Sequence, residues 1–188
     1  MLDSVRRGLA ALAVFGMFSA PSTAEQPVPT IVVLDFELID DTQDNNLATL
    51  AAQQKRLTLI SEQLRKELND ARLYRVLDNA PAADYIAKLK LAQELRACNG
   101  CELDIGKRLG ADLVLTAWVQ KVSNLILNIN IEIKRVASGQ TILNKSVDIR
   151  GNTDQSWSRG ISYMVRDMVE KKQGGKQWSQ LSPCTELN

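Results

Sequence analysis

Residues 125–136, LILNINIEIKRV, constrain the fold of this chain more than any other stretch. Leu125, Leu127, Ile129, Ile131 and Ile133 alternate with Asn128, Asn130, Glu132 and Lys134. Successive side chains of a strand point to opposite faces, so a strict period of two predicts one face in a core and one outside it. ASGQ at 137–140 then reads as a hairpin turn, and TILNKSVDIR at 141–150 as the returning strand. The outward row Asn128, Asn130, Glu132 and Lys134 is either a solvated sheet face or a surface for a partner or a second copy.

The rest of the chain supplies what covers that hairpin. TIVVLDFEL at 30–38 is rich in β-branched residues and predicts a buried first strand, followed by the acidic turn-forming loop IDDTQDNN. Over 47–68 the period changes to that of a helix, with Leu50, Leu57, Ile60, Leu64 and Leu68 on one stripe. Glu62 and Lys66 are spaced as an i,i+4 pair on it. LYRVLD at 73–78 is a short second strand, and Pro81 opens a second helix with Tyr85, Leu89 and Ala92 inward. A third helix, ELDIGKRLG, carries acids in its first turn, bases in its last and Gly110 as its stop. ADLVLTAWVQKV at 111–122 is the third strand. After Gly151, NTDQSW caps a last helix with Trp157, Ile161, Met164, Val165 and Met168 on its buried face.

The expected order is β-α-β-α-α-β-β-β-α. This is an α/β (α+β) domain with a mixed sheet, helices packed on it and a C-terminal antiparallel meander. From Lys171 on there is no periodicity. The expected organisation is a signal peptide at 1–24, one domain at 25–172 and an irregular tail at 173–188.

The leader reading rests on residue types. Arg6 and Arg7 precede the apolar run GLAALAVFGMFSA, and Ser22 and Ala24 are small residues placed for cleavage after Ala24. The run falls short of the roughly 20 apolar residues that span a bilayer. With no cysteine near the cleavage site and no later apolar stretch, the expectation is a periplasmic protein without a lipid or transmembrane anchor.

Charge and composition exclude several functions. The chain has 23 basic and 22 acidic residues and a net charge of +1, a balance that predicts no strong attraction to nucleic acid or an anionic membrane. There is no histidine. That removes Ser-His-Asp and Cys-His catalysis, histidine metal clusters and the commonest neutral-pH acid/base. No cofactor is expected; Gly106-Lys107-Arg108 and Gly174-Gly175-Lys176 lack the spacing of a phosphate loop.

Cys98-Asn99-Gly100-Cys101 is the one tempting chemical signature. A redox pair has a physical basis, because a helix N-terminus lowers a thiol pKa. A zinc site lacks ligands, since only Cys184 and carboxylates could complete it. A structural disulfide Cys98–Cys101 is the favoured reading. Pairing either cysteine with Cys184 would close a loop of about 85 residues, worth roughly 4 to 5 kcal/mol on the chain-entropy model, and stays open as an alternative.

The acids Asp35, Glu37, Asp40, Asp41 and Asp44 lie where the first strand opens into its loop, the end at which open α/β sheets bind ligands. Calcium-loop spacing is absent, so no metal is assigned. Trp118 and Trp157 read as packing residues, and Trp178 as a residue of the tail.

IVVLDFEL with Asp35-Phe36, IGKRLGADLVLTAWVQKV with Leu109-Gly110-Ala111-Asp112, and the turn at Ser138-Gly139 resemble the α/β domain of the TolB amino-terminal and CsgG-type envelope proteins. The resemblance spans roughly residues 30–170. SVDIRGNTDQSWSRGISYMVRDMV is similar to small exported proteobacterial proteins of unknown function. The chain has no lipid-bearing cysteine, no added pore-forming strands and no propeller. The resemblance therefore implies fold, compartment and a habit of docking to envelope partners, not a reaction.

Three functions follow as expectations. The first is an exported, non-catalytic accessory domain that binds protein partners in the periplasm or envelope. The second is a thiol-disulfide protein using Cys98 and Cys101. The third is a small-ligand binder at the carboxyl end of the first strand, with Asp35, Glu37, Asp40 and Asp41 as its candidates. Asn128, Asn130 and Glu132 are the candidate partner surface, and the sequence leaves the oligomeric state open.

Overall fold

The structure is a computed structural model that describes residues 27–42 and 46–180, with side chains to residue 174. The expected leader, Asp44 and Cys184 lie outside the described residues, as does the side chain of Trp178. The elements are β1 (Thr30–Val33), β2 (Glu37–Asp40), α1 (Leu47–Asp70), β3 (Arg75–Val76), α2 (Ala83–Ala92), α3 (Cys101–Arg108), β4 (Leu113–Lys121), β5 (Ile126–Arg135), β6 (Thr141–Arg150) and α4 (Asp154–Gln180). Short 3-10 turns at Ala80–Ala82 and Leu95–Ala97 flank α2.

Six strands form one mixed sheet in the order β3-β1-β4-β5-β6, with β2 also beside β4. β1, β2 and β3 run parallel to their neighbours; β4, β5 and β6 form the antiparallel meander. This is the expected fold class.

The expected first strand is divided. Val33 lies opposite Leu115 and Glu37 opposite Trp118, so three residues, 34–36, face only two on β4. An extra residue in a strand makes a bulge, which bends it and re-aims a side chain. Here the phase of burial slips: Leu34 is buried on one side of the sheet and Phe36 on the other, and Asp35 is pushed to the surface. A run of apolar residues around one acid does not disclose that slip.

One face of the sheet carries the main core. Leu57, Ile60, Leu64 and Leu68 of α1 and Trp157, Ile161, Met164 and Met168 of α4 cover it, with Leu127, Ile129, Ile131 and Ile133 below. Leu50 and Leu125, expected inward, are 40% and 71% exposed because each lies outside the covered span. Glycine lets α4 approach closely: a Cβ on Gly160 would stand 2.7 Å from both Ile129 and Ile149. Among the described residues the opposite face is covered over β1, β2 and the first part of β4, where Ile86 of α2, Leu95 of the 3-10 turn and Ile105 of α3 join Val32, Leu34 and Val114.

Other expectations change. Ile86 is the buried anchor of α2, Tyr85 and Leu89 are half-buried, and Ala92 is exposed. Lys66 pairs with Asp70 rather than Glu62. The last helix runs on to Gln180, into the stretch expected to be irregular. Thr153 and Ser156 bond reciprocally at its start, each hydroxyl accepting the other residue's backbone N–H at 3.1 Å, a capping box. Among the described residues no helix is long and apolar enough to cross a membrane.

Candidate functional site

The acidic residues of the first-strand loop do not converge on a shared centre; each is tied into the framework. Asp35 meets Arg65 of α1 at 2.5 Å and Lys90 of α2 at 2.9 Å. Burial raises its pKa, but hydrogen bonds and charge from Arg65 and Lys90 outweigh that and lower it. Both carboxylate oxygens of Glu37 accept backbone N–H groups of the 3-10 turn, Leu95 at 2.6 Å and Arg96 at 3.1 Å. Asp41 accepts from Gln120 Nε2 at 3.1 Å.

Asp40 belongs to a group that the sequence reading did not assemble. Lys121, at the end of β4, is completely buried, and its Nζ donates to Asp40 Oδ2 at 2.9 Å and Thr42 Oγ1 at 3.1 Å. Gln53 of α1 donates to the same carboxylate at 3.3 Å. The signal in the sequence was Lys121 in phase with the apolar residues Leu115, Ala117 and Val119. Burial raises the Asp40 pKa, and hydrogen bonds from Thr42, Lys121 and Gln53 overcome this and hold it at about 2 against 3.8. A depressed carboxylate pKa stabilises the fold above the unfolded value and ceases to do so as pH falls through the folded value. The advantage of wild type over Asp40→Asn should therefore be full above about pH 4 and vanish towards pH 2, a change of about 2 kcal/mol in urea unfolding. An advantage unchanged over that window would refute the assignment.

A cleft of about 390 Å³ opens beside the bulge, at the carboxyl ends of β1 and β3, lined by Leu34, Asp35, Arg65, Asn79, Ile86 and Lys90 among others. β3 pairs with β1 only at its start, so Val33 C=O has no strand partner there. Arg65 Nε and Nη2 and Asn79 Nδ2 donate to it instead, at 3.1, 2.9 and 2.9 Å. The cations of this cleft are thus committed to Asp35 and to the backbone.

Cys98 and Cys101 are joined as a disulfide with Cα atoms 5.6 Å apart. Cys98 is buried, and the Gln93 side-chain amide donates to both sulfurs, at 2.8 and 3.1 Å. The bridge ties the 3-10 turn that Glu37 holds to the first residue of α3. The bridge closes so short a loop that it takes little entropy from the unfolded chain, so Cys98→Ser/Cys101→Ser should cost at most about 2 kcal/mol in urea unfolding. A collapse of the fold in that variant would contradict a purely local clip.

The outward row of β5 faces the side of the sheet that no described helix covers over Asn128–Glu132. Asn128 bonds Asp148 across the strands, and Glu132 accepts from Thr141 Oγ1 at 2.7 Å. Asn130 donates to Asn128 C=O at 3.3 Å and lies opposite Trp118 and Ser146. Trp118, expected in the core, is half-buried on this open side. Lys134 links the row to α3: its Nζ meets Glu132 at 3.3 Å and Glu102 of α3 at 2.9 Å, and Glu102 is only 3% exposed. The helix acid that the sequence places as a dipole partner is thus a buried ion-pair partner. Asn128, Asn130 and Glu132 are brought together on one surface, while Asp35, Glu37, Asp40 and Asp41 are dispersed among separate partners.

The residues that carry the family resemblance have structural work here. Phe36 is buried and its N–H donates to Ser61 Oγ at 2.9 Å. Asp112 Oδ2 accepts from Thr30 N at 2.8 Å and Thr30 Oγ1 at 2.7 Å, clamping β4 to β1. Those bonds lower the Asp112 pKa.

No curated protein matches the sequence. Among solved structures, the LpoB C-terminal domain from Salmonella enterica aligns with a TM-score of 0.47 and 14% identity, over 69% of this chain and 87% of that one. Lipoprotein GNA1162 from Neisseria meningitidis gives 0.45 and 16%, over 79% and 99%. TolB from Acinetobacter baumannii gives 0.38 and 11%, over 74% of this chain and 28% of that one. At these scores the likenesses assign no role. A family model described as "Protein of unknown function (DUF2380)" matches residues 29–169, most of the chain, and the protein therefore belongs to that family, DUF3280.

Proposed function

We propose that this protein is an exported accessory domain that binds a protein partner in the periplasm or envelope and performs no reaction of its own. The observation that carries the reading is the uneven covering of the sheet. α1 and α4 cover one side, while on the other no described helix covers Asn128, Asn130 and Glu132, with Trp118 half-exposed among them. Side chains that are cross-linked, polar and organised around an indole make a pre-ordered contact surface, and such a surface loses little side-chain entropy on association. The commitment of Asp35, Glu37 and Asp40 to framework bonds supports this reading over a ligand site at the first strand.

The test is site-specific photo-crosslinking of the full chain expressed in a Gram-negative host. A photoreactive residue at Asn130 or Ser146 should yield a discrete protein adduct, and one at Gln54, on the outer face of α1, should not. Absence of an adduct at both sheet positions, or equal adducts at Gln54, would defeat the reading. Export has its own check: osmotic-shock fluid should contain the protein with Glu25 as its first residue.

A further inference from the structure

β6 ends the sheet, and among the described residues no strand pairs with its outer side over its ten residues. Such an edge presents a row of backbone donors and acceptors that can pair with another chain. Beside it runs a groove of about 610 Å³ between β6 and α4, with Val147, Ile149 and Gly160 along its floor and Arg159 and Tyr163 on its wall. At Gly160 the helix lies against Ile149 so closely that any Cβ would clash.

The charge around the groove is basic on balance: Arg150 and Arg159 line it with Asp148, and Arg166 stands on the same helix with Glu170. Arg150, Arg159 and Arg166 are all exposed, and none of them meets a carboxylate among the described residues. Arg166 lies over the Tyr163 ring at 5.5 Å. The acids nearby are Asp148, which bonds the neutral Asn128 amide and keeps its charge, Asp167, which meets Lys145 and Lys171, and Glu170, exposed one turn beyond Arg166. A second copy of this edge would bring the same unpaired guanidinium groups to the seam, which disfavours self-association.

We infer that β6 and α4 receive an extended acidic segment of a partner protein, added as a further strand beside β6. Its backbone pairs with the β6 edge, and alternate acidic side chains lie towards Arg159 and Arg166 while the others face the open side of the sheet. This rests on the reading that the domain works by binding protein, and it names the seat and the chemistry of the bound segment.

A fluorescein-labelled peptide of alternating Thr and Glu tests it by anisotropy with the intact protein. Binding should weaken as NaCl rises, because exposed charges are screened. Arg159→Glu/Arg166→Glu should lower affinity by at least about tenfold, and Arg159→Ala should show a smaller loss in the same direction. A proline at the centre of the peptide should abolish binding, and amide hydrogen exchange should slow along β6. No binding at about 1 mM peptide, equal binding of a Thr-Lys peptide, or binding without protection of β6 would each overturn the inference. Peptide failure with the Asn130 crosslink intact removes this seat alone; loss of the crosslink with peptide binding intact removes the open-face reading alone.

Discussion

Trp157→Ala should lower the stability of the domain by about 3 to 5 kcal/mol, the range for removing a fully buried large aromatic. Trp157 is completely inaccessible and sits in the first turns of α4, against the sheet. Its Nε1 donates to Asn152 Oδ1 at 3.0 Å, and that same oxygen accepts from Arg56 of α1 at 3.2 Å. Arg56 also meets Asp154 at 2.7 Å. The indole therefore fills the core and joins the middle of α1 to the start of α4 through one amide. Trp157→Phe should retain most of the packing and lose the hydrogen bond, costing about 1 to 2 kcal/mol. Urea titration followed by far-UV circular dichroism measures both. A loss under about 1 kcal/mol for Trp157→Ala would mean the site collapses around the void, contrary to a rigid seat.

Lys121→Met should cost about 3 to 5 kcal/mol, because removing one member of a buried pair strands the other. Asp40 would keep Thr42 and Gln53 but lose its only cationic partner in the group. The sign in pH follows from the same bond. Without Lys121 the Asp40 pKa rises from about 2, so the acid loss of stability should begin at a higher pH in the variant. Asp40→Asn/Lys121→Met should be less damaging than the sum of the single changes, with a coupling above about 1 kcal/mol. Strictly additive single costs would show that the two groups do not act as a pair.

Much of the architecture was legible in residue order. The alternation through Leu127–Ile133 places those side chains inward, and the stripe Leu57, Ile60, Leu64, Leu68 identifies the helix that covers them. Local periodicity reports these directly, since it depends only on which residues recur on one face. The bulge at Asp35 was not legible, because a slip of phase is defined against β4, some eighty residues away. The fates of Glu102 and Lys134 were hidden for the same reason, and that of Lys121 showed only in its phase with Leu115, Ala117 and Val119. A charged residue in a strand or a helix start reads as exposed until its partner is brought up by the fold.

The candidate site divides along that line too. Asn128, Asn130 and Glu132 share a face by strand periodicity alone. Whether that face is covered depends on where α2 and α3 pack, and they stop at β1 and the first part of β4. The acidic loop is the converse case: contiguous in sequence, its members part company because the bulge and the strand pleat send them to different neighbours.

The sequence by itself determined a mixed sheet with helices on it, the inward and outward faces of the hairpin, and the absence of histidine chemistry. Each depends on residue type and spacing along one element. Only the tertiary structure decided that no described strand pairs with the outer side of β6, that Arg150 of that strand and Arg159 of α4 line one groove, and that Lys121 is buried against Asp40. Those are relations between elements far apart in the chain. Their physics is that of burial and charge pairing, which exist only once the sheet and helices have closed on one another.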